Sequence, residues 1–272
     1  MDEIFLQSLG RSWDARSSDS SRPGTHVPDT DQVQGSYRVR FARNDDDLDA
    51  TCKLRFEVFN VELREGLEES FATGRDRDGF DELCQHVLVE HERDGVIGTY
   101  RLLLPELAAA GSGFYAATEF DLASIPADIL AASVEAGRAC IALEHRNRPV
   151  LAMLWRGLLA HVIWNRKRYF FGCSSLTSQD EVEGSRVYRW LKTRGFVSEE
   201  LEVRPLVTHR CAPYVGPVPQ NVHIPKLFRT YLRHGAKICS TPAIDRAFKT
   251  IDYLTFVDVA RVDPKTIKTI GG

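Results

Sequence analysis

The stretch SVEAGRACIAL (133–143), followed by PVLAMLWRGLLAHVIW (149–164) and YFFGCSSL (169–176), decides how this chain folds. The outer two are apolar runs of strand length, and the middle one has the length and apolar content of a buried helix. Asn147 or its neighbour supplies the N-cap, and Pro149 falls in the first turn, where a missing N–H costs nothing. Working towards the N-terminus, VIGTYRLLL (96–104) and HVLVEHE (86–92) read as two strands of a hairpin closed by Arg93-Asp94-Gly95. YRVRFAR (37–43) alternates with period two. Asp45, Asp46 and Asp47 then provide the cap and acidic first turn of a helix through LDATCKLRFEVFNVEL, with Leu54, Val58 and Val61 at helical spacing.

Towards the C-terminus, EGSRVYRWLKTRGF (183–196) predicts a helix ending at Gly195 as its C′ residue. IPKLFRTYLRHGAK (224–237) is an amphipathic basic helix, and IDYLTFVDVA (251–260) a strand. This order predicts an α/β (α+β) fold with one sheet and helices on both faces, rather than a bundle or a sandwich. The domain spans 37–272, with a helix–strand extension from about residue 200. Residues 1–36 are expected to be a disordered or weakly ordered leader, since 14–36 are polar and punctuated by Pro and Gly. Within it, Ile4, Phe5, Leu6, Leu9 and Trp13 fall on one face of a short helix; this would dock on the body, on a second subunit or on a membrane, or stay loosely ordered.

Composition narrows the function. The chain has 272 residues, is 43% hydrophobic and carries a formal net charge of −3. That balance excludes a strongly basic nucleic-acid binder. No apolar run approaches the roughly 18 residues of a spanning helix. Six cysteines without paired spacing read as reduced thiols, so the expected compartment is the cytoplasm, with the inner membrane face as an alternative station. The histidines show no metal-ligand spacing, so no metal is expected.

Charged residues interrupt segments that otherwise look buried: Arg55 beside Phe59, Asp78 and Asp81 in the following loop, Arg101 inside its strand, and Glu135 and Arg138 inside theirs. An ionised group in an apolar strand is expensive unless it is paired or faces a cavity. Taken singly, each is equally well a structural ion pair or an edge position; together they form the candidate site. Cys140 and Cys173 sit in apolar strands, where cysteine acts as a small core residue.

The motifs R-x3-F (Arg55/Phe59), D-x2-D (Asp78/Asp81), G-x2-R-L (Gly98/Arg101/Leu102) and E-x2-R (Glu135/Arg138), in that order, resemble the branch of the GNAT superfamily that moves acyl chains from acyl carrier protein to amines. That branch includes ornithine-lipid-forming and N-acyl amino acid synthases and, more distantly, acyl-homoserine-lactone synthases. FGCSSL, LFRTYLRHGAKI and AFKTIDYLTFVD look like the ornithine-lipid and "hemolysin-like" members. Homoserine-lactone synthases carry a tryptophan several residues after R-x3-F, where this chain has Glu65 or its neighbours.

The resemblance implies a mostly antiparallel sheet that splays between SVEAGRACIAL and YFFGCSSL, with a pantetheine arm in the gap. It implies transfer of a long, 3-hydroxylated acyl chain from an acyl-carrier-protein thioester to the α-amine of a small amino acid. Ornithine leads, glycine and other acceptors stay open, and a catalytically idle binding module is the rival from another class. No permanently bound cofactor is implied. Glu135 is assigned the ammonium proton, with Arg138 as its partner. Arg55, Phe59, Asp78, Asp81 and Arg101 are assigned to the acceptor, with ordering of the loop as the alternative for Asp78 and Asp81 and pairing with Glu135 as the alternative for Arg101. Backbone groups of Ala139, Cys140 and Ile141 would contact the donor and the oxyanion.

His145-Arg146-Asn147-Arg148-Pro149 lacks the glycines of a pyrophosphate nest, so Arg146 and Arg148 are assigned to a single phosphate or to an acidic carrier surface. The tyrosine acid of other GNATs is replaced by Leu191, with Tyr188 one turn earlier. The basic helix Lys226, Arg229, Arg233, His234 and Lys237 would face the carrier or anionic lipid, or simply cover the core.

Overall fold

A computed structural model describes residues 26–28 and 31–271. The strands are β1 (Gln32–Gln34), β2 (Tyr37–Phe41), β3 (Gln85–His91), β4 (Gly95–Leu103), β5 (Ser133–Ile141), β6 (Tyr169–Leu176), β7 (Lys237–Ile238), β8 (Ala243–Asp245) and β9 (Thr250–Asp258). The described helices of eight residues or more are α1 (Asp45–Phe56), α2 (Arg148–Trp164), α3 (Glu181–Thr193), α4 (Lys226–Arg233) and α5 (Pro264–Gly271). The strands form one sheet in the order β1-β2-β3-β4-β5-β6-β9-β7, with β8 also on β9. Every pairing is antiparallel except β5 with β6. Residues 1–25, including the expected N-terminal helix, lie outside the described residues. The paired chain nevertheless starts earlier than its polar composition suggests, because Gln32–Gln34 adds an edge strand to β2 through a turn at Gly35.

The sheet packs on both faces. On one, α2 lays Val150, Met153, Leu154 and Leu158 against Val39, Val87, Val89, Tyr100 and Leu102. Asn147 caps it through a bond from Val150 N–H (3.0 Å), with Pro149 in the first turn. Further along the same face, α3 and α4 bury Val187, Leu191, Phe228 and Leu232 against Leu176, Ile251 and Tyr253. On the opposite face, α1 packs Leu54 near Cys140 and Phe248. α1 passes into a π-helical segment, Glu57–Glu62. The wider turn rotates the register, so Val61, expected on the buried stripe with Leu54 and Val58, is 60% exposed.

The central pair decides the architecture. β5 and β6 register at only Ser133↔Tyr169, Val134↔Phe170 and Glu135↔Phe171. Beyond that point the strands part. Gly172 sits at the fork: a Cβ built on it would lie 2.2 Å from the Ala136 carbonyl oxygen. β5 also carries a bulge, since four residues (Gly137 to Cys140) face three on β4 (Arg101 to Thr99), and Arg138 adopts φ +48°. Among the described residues no helix is long and apolar enough to cross a membrane.

Candidate active site

The fork opens a cavity of about 370 Å³ that runs through the sheet. Strand alternation gives it two unlike ends. Towards α2, α4 and α5 it is lined by Trp155, Leu158, Leu159, Phe170, Phe228, Tyr231 and Ile267. There the Tyr231 hydroxyl bonds that of Tyr100, which also accepts from Trp155 Nε1 (3.4 Å). Towards α1 the lining is charged and polar: Glu65, Arg101, Glu135, Arg138, Ser175, Thr177 and Asp252.

The sequence motifs converge, but on one another. Arg55 is fully buried and donates to Asp76 (2.9 Å) and, through two nitrogens, to Asp81 (2.7 and 3.1 Å). Arg101 donates to Asp78 (2.6 Å) and Asp81 (3.1 Å). Arg138 donates to Asp78 (3.1 Å), its Nε lies 3.4 Å from Asp76, and its guanidinium is sandwiched between the rings of Phe248 (4.1 Å) and Tyr115 (4.7 Å). Arg55, Arg101 and Arg138 thus balance Asp76, Asp78 and Asp81. Burial opposes the Arg55 charge, but its aspartates more than offset this and raise its pKa. Burial likewise works against the Asp81 charge, and Arg55 and Arg101 still bring that carboxyl well below its ordinary range.

This closed network corrects several expectations. Arg55 has no route to an acceptor carboxylate, and Asp78 and Asp81 are taken up by arginines rather than by an acceptor ammonium. Asp76, which the motif spacing does not single out, is a full member.

Glu135 also differs from expectation. Both its oxygens accept backbone N–H bonds, from Tyr115 (2.9 Å) and Ala116 (2.7 Å). Burial raises its pKa, and those two bonds pull the other way. It pairs with the Tyr115–Thr118 turn, not with Arg138, so it lines the cavity as an anchor of that turn. Phe59 is buried, lines the cavity and packs edge-on to Phe248 (5.4 Å between centroids).

On the donor side, Ala142 N–H bonds Ile97 on β4 (2.8 Å). Alternation therefore turns the N–H of Cys140 to β4 and that of Ile141 to the open fork, while Ala139 lines the cavity. The Cys140 side chain is buried against α1. Arg146 is engaged with Glu62 (2.5 and 2.6 Å) and with the Ile141 carbonyl (2.9 Å). Arg148 is exposed in the first turn of α2. Leu191 is buried in the core, and Tyr188 is absent from the cavity lining. On α4, Lys226, Arg229 and Arg233 face solvent while Leu227, Phe228 and Tyr231 line the cavity; His234 turns inward against Trp155.

Sequence reasoning missed the acidic side chains of the charged end. Glu65 is 6% exposed and accepts from the Thr177 hydroxyl. Burial pushes its carboxyl up to about 7, a shift the Thr177 bond limits and Asp252 adds to. Glu119 and Asp252 are also buried, and burial raises both, Asp252 to about 6. Glu119, Cys173 and Asp252 bring ligand atoms within 4.8 Å of one another, as do His91, Asp94 and His145 at the β3–β4 turn. Each group needs a residue from a distant segment, so histidine spacing carries no trace of them.

Comparison with known proteins supplies the family. Residues 54–156 match the acetyltransferase (GNAT) domain family. The chain is 31% identical over 252 residues to an L-ornithine N(alpha)-acyltransferase of Agrobacterium fabrum, covering 88% of this chain and 86% of that protein. It is 30% identical to one of Brucella abortus, covering 87% and 89%. Among solved structures, FeeM, an N-acyl amino acid synthase from uncultured soil microbes, aligns at a TM-score of 0.46 with 12% identity, over 83% of this chain and 93% of that one. The GNAT-domain match and the 31% identity along nearly the whole chain place this protein, with its forked mixed sheet, in the GNAT acyltransferase family, and it is an acyltransferase.

Proposed function

We propose that the protein moves a long acyl chain from a pantetheine thioester to the α-amine of ornithine, giving an N-acylated lyso-lipid. The observation that carries this reading is the two-ended cavity: an apolar half suited to a hydrocarbon chain opens through the sheet onto a charged half suited to an amino acid. The two L-ornithine N(alpha)-acyltransferase relatives support ornithine as acceptor. The Asn147 side chain and Pro149 occupy the start of α2 where a pyrophosphate would bind, which favours acyl carrier protein over coenzyme A. The exposed basic face of α4 then meets the acidic carrier or the inner surface of a membrane from the cytoplasm. The Ser174 and Thr255 hydroxyls, bonded to each other at 2.8 Å within the lining, offer a partner to a 3-hydroxyl on the chain.

In this scheme Glu65 is the base. It lines the cavity, and its pKa near 7 matches the task of taking one proton from the α-ammonium. The amine attacks the thioester carbon while the Ile141 N–H faces the developing oxyanion. The C–S bond breaks, and the amine's second proton ends on the departing thiolate. Glu135 positions the turn that shapes the pocket, and Arg138, held by Asp76 and Asp78 between the rings of Phe248 and Tyr115, forms part of its wall.

The test is purified protein with acyl carrier protein or coenzyme A thioesters of several chain lengths, an amino-acid panel and mass spectrometry of the products. Nα-acyl-ornithine formed faster from the carrier-bound donor is expected. Turnover from coenzyme A alone would remove the carrier, and no N-acyl amino acid from any pairing would leave a binding module.

A further inference from the structure

A diamine acceptor poses a problem that the base alone does not solve. Both amines of ornithine are nucleophiles, so acylation of only one requires that the other be held away from the thioester. At the charged end of the cavity, one lining carboxyl, Asp252, meets a second, Glu119, just behind the lining, and neither has a cationic partner. Asp252 lies on β9 opposite Ser175 of β6 and lines the cavity. Glu119, at the end of the turn anchored by Glu135, reaches the same spot, with its Oε1 3.9 Å from Cys173 Sγ. Glu119 is 1% exposed and Asp252 3%. Glu119 Oε2 and Asp252 Oδ1 are buried without a hydrogen-bond donor.

Two charged neighbours are already engaged. Asp245 accepts from the Tyr115 hydroxyl and from Phe248 N–H, both at 2.8 Å. Arg138, the nearby cation, is committed to Asp76 and Asp78. Two adjacent buried carboxyls cannot both ionise cheaply; a proton shared between them meets this in the empty site, and a single ammonium would supply the charge and the donors in its place.

We propose that Glu119 and Asp252 form a subsite for the side-chain ammonium of the acceptor, which fixes the basic amino acid as substrate and selects its α-amine for acylation. This rests on the N-acyltransferase reading above, and it concerns neither the base nor the donor.

The test is calorimetric titration of the full-length protein, without acyl donor, with L-ornithine and with L-norvaline, which has the same carbon chain and no second amine. Ornithine is expected to bind at least about 50-fold tighter, the scale of a charged hydrogen-bonded group in a buried site. Asp252→Asn and Glu119→Gln, which keep shape, should each weaken ornithine at least about 10-fold, leave norvaline unchanged and not lower the melting temperature. In the acylation assay the same variants should shift product from Nα- to Nδ-acyl-ornithine. Equal titrations of the two amino acids, including none for either, overturn the subsite. So does ornithine binding that EDTA abolishes, which would make the pair a metal site. Selective ornithine binding without any acyl product would instead leave the subsite standing and remove the transfer reaction.

Discussion

Glu65 shows how one residue's surroundings set two measurable properties. A carboxyl whose ordinary value is 4.5 is pushed up to about 7 by burial, so the unfolded chain loses this proton first as pH rises. Stability therefore falls between about pH 4.5 and 7 and stays lowered above. Glu65→Gln should be more stable than wild type at pH 8 by up to about 3 kcal/mol in urea unfolding. If Glu65 is the base, the same variant loses about 10²- to 10⁴-fold in kcat and the rise of wild-type rate through pH 7 disappears. A variant with wild-type pH dependence would remove Glu65 from the chemistry.

The arginine–aspartate network makes the opposite kind of prediction. Asp81→Asn strands part of the charge of Arg55 and Arg101 in a dry site, and should cost about 3–5 kcal/mol in stability, measured by denaturant midpoint. Charged motif residues were legible as a set because ionised groups inside apolar strands demand an explanation. What the spacing could not show was whether they face a ligand or one another. Glu119 and Asp252 were invisible for a related reason: they lie in separate segments, and only the fork and the turn over it bring them together.

Among the elements, those with strong local chemistry were the readable ones. The Arg93-Asp94-Gly95 hairpin, the Asn147 cap with Pro149, and Gly195 closing α3 each solve a backbone problem within a few residues. The π segment after Phe56 and the edge strand β1 were not readable, because one depends on a register change within a continuous helical pattern and the other on a neighbour's free edge. The fork itself was expected from resemblance, and its physical mark is Gly172. Gly172→Ala places a methyl group against the Ala136 carbonyl and should cost about 1–3 kcal/mol, seen as a lowered melting temperature. Gly137→Ala, whose Cβ meets nothing within 4 Å, is the matched control and should melt as wild type does. At the apolar end, Leu159→Phe should shorten the preferred acyl chain by about two methylenes, read from donor chain-length profiles.

For the whole molecule, a net charge of −3 opposes association with an acidic partner unless basic groups are gathered on one side. The outer face of α4 gathers them beside the apolar end of the cavity, where a carrier delivering its chain would dock. Exchanging Arg229 and Arg233 for Glu should raise KM for a carrier-bound donor about 10-fold at low salt, an effect that fades as salt is added, while leaving a small pantetheine thioester unaffected. An equal loss with both donors would instead mean that α4 only covers the core.

The three-residue contact between β5 and β6 makes the sheet two plates stitched along a brief seam. Nothing beyond Glu135 zips them, so a chain lying in the slot becomes the missing thread. Amide hydrogens of residues 137–141 that point into the slot should exchange quickly in the empty protein and slowly once a thioester is loaded. The molecule is then stiffest at the moment the acyl group is poised to leave.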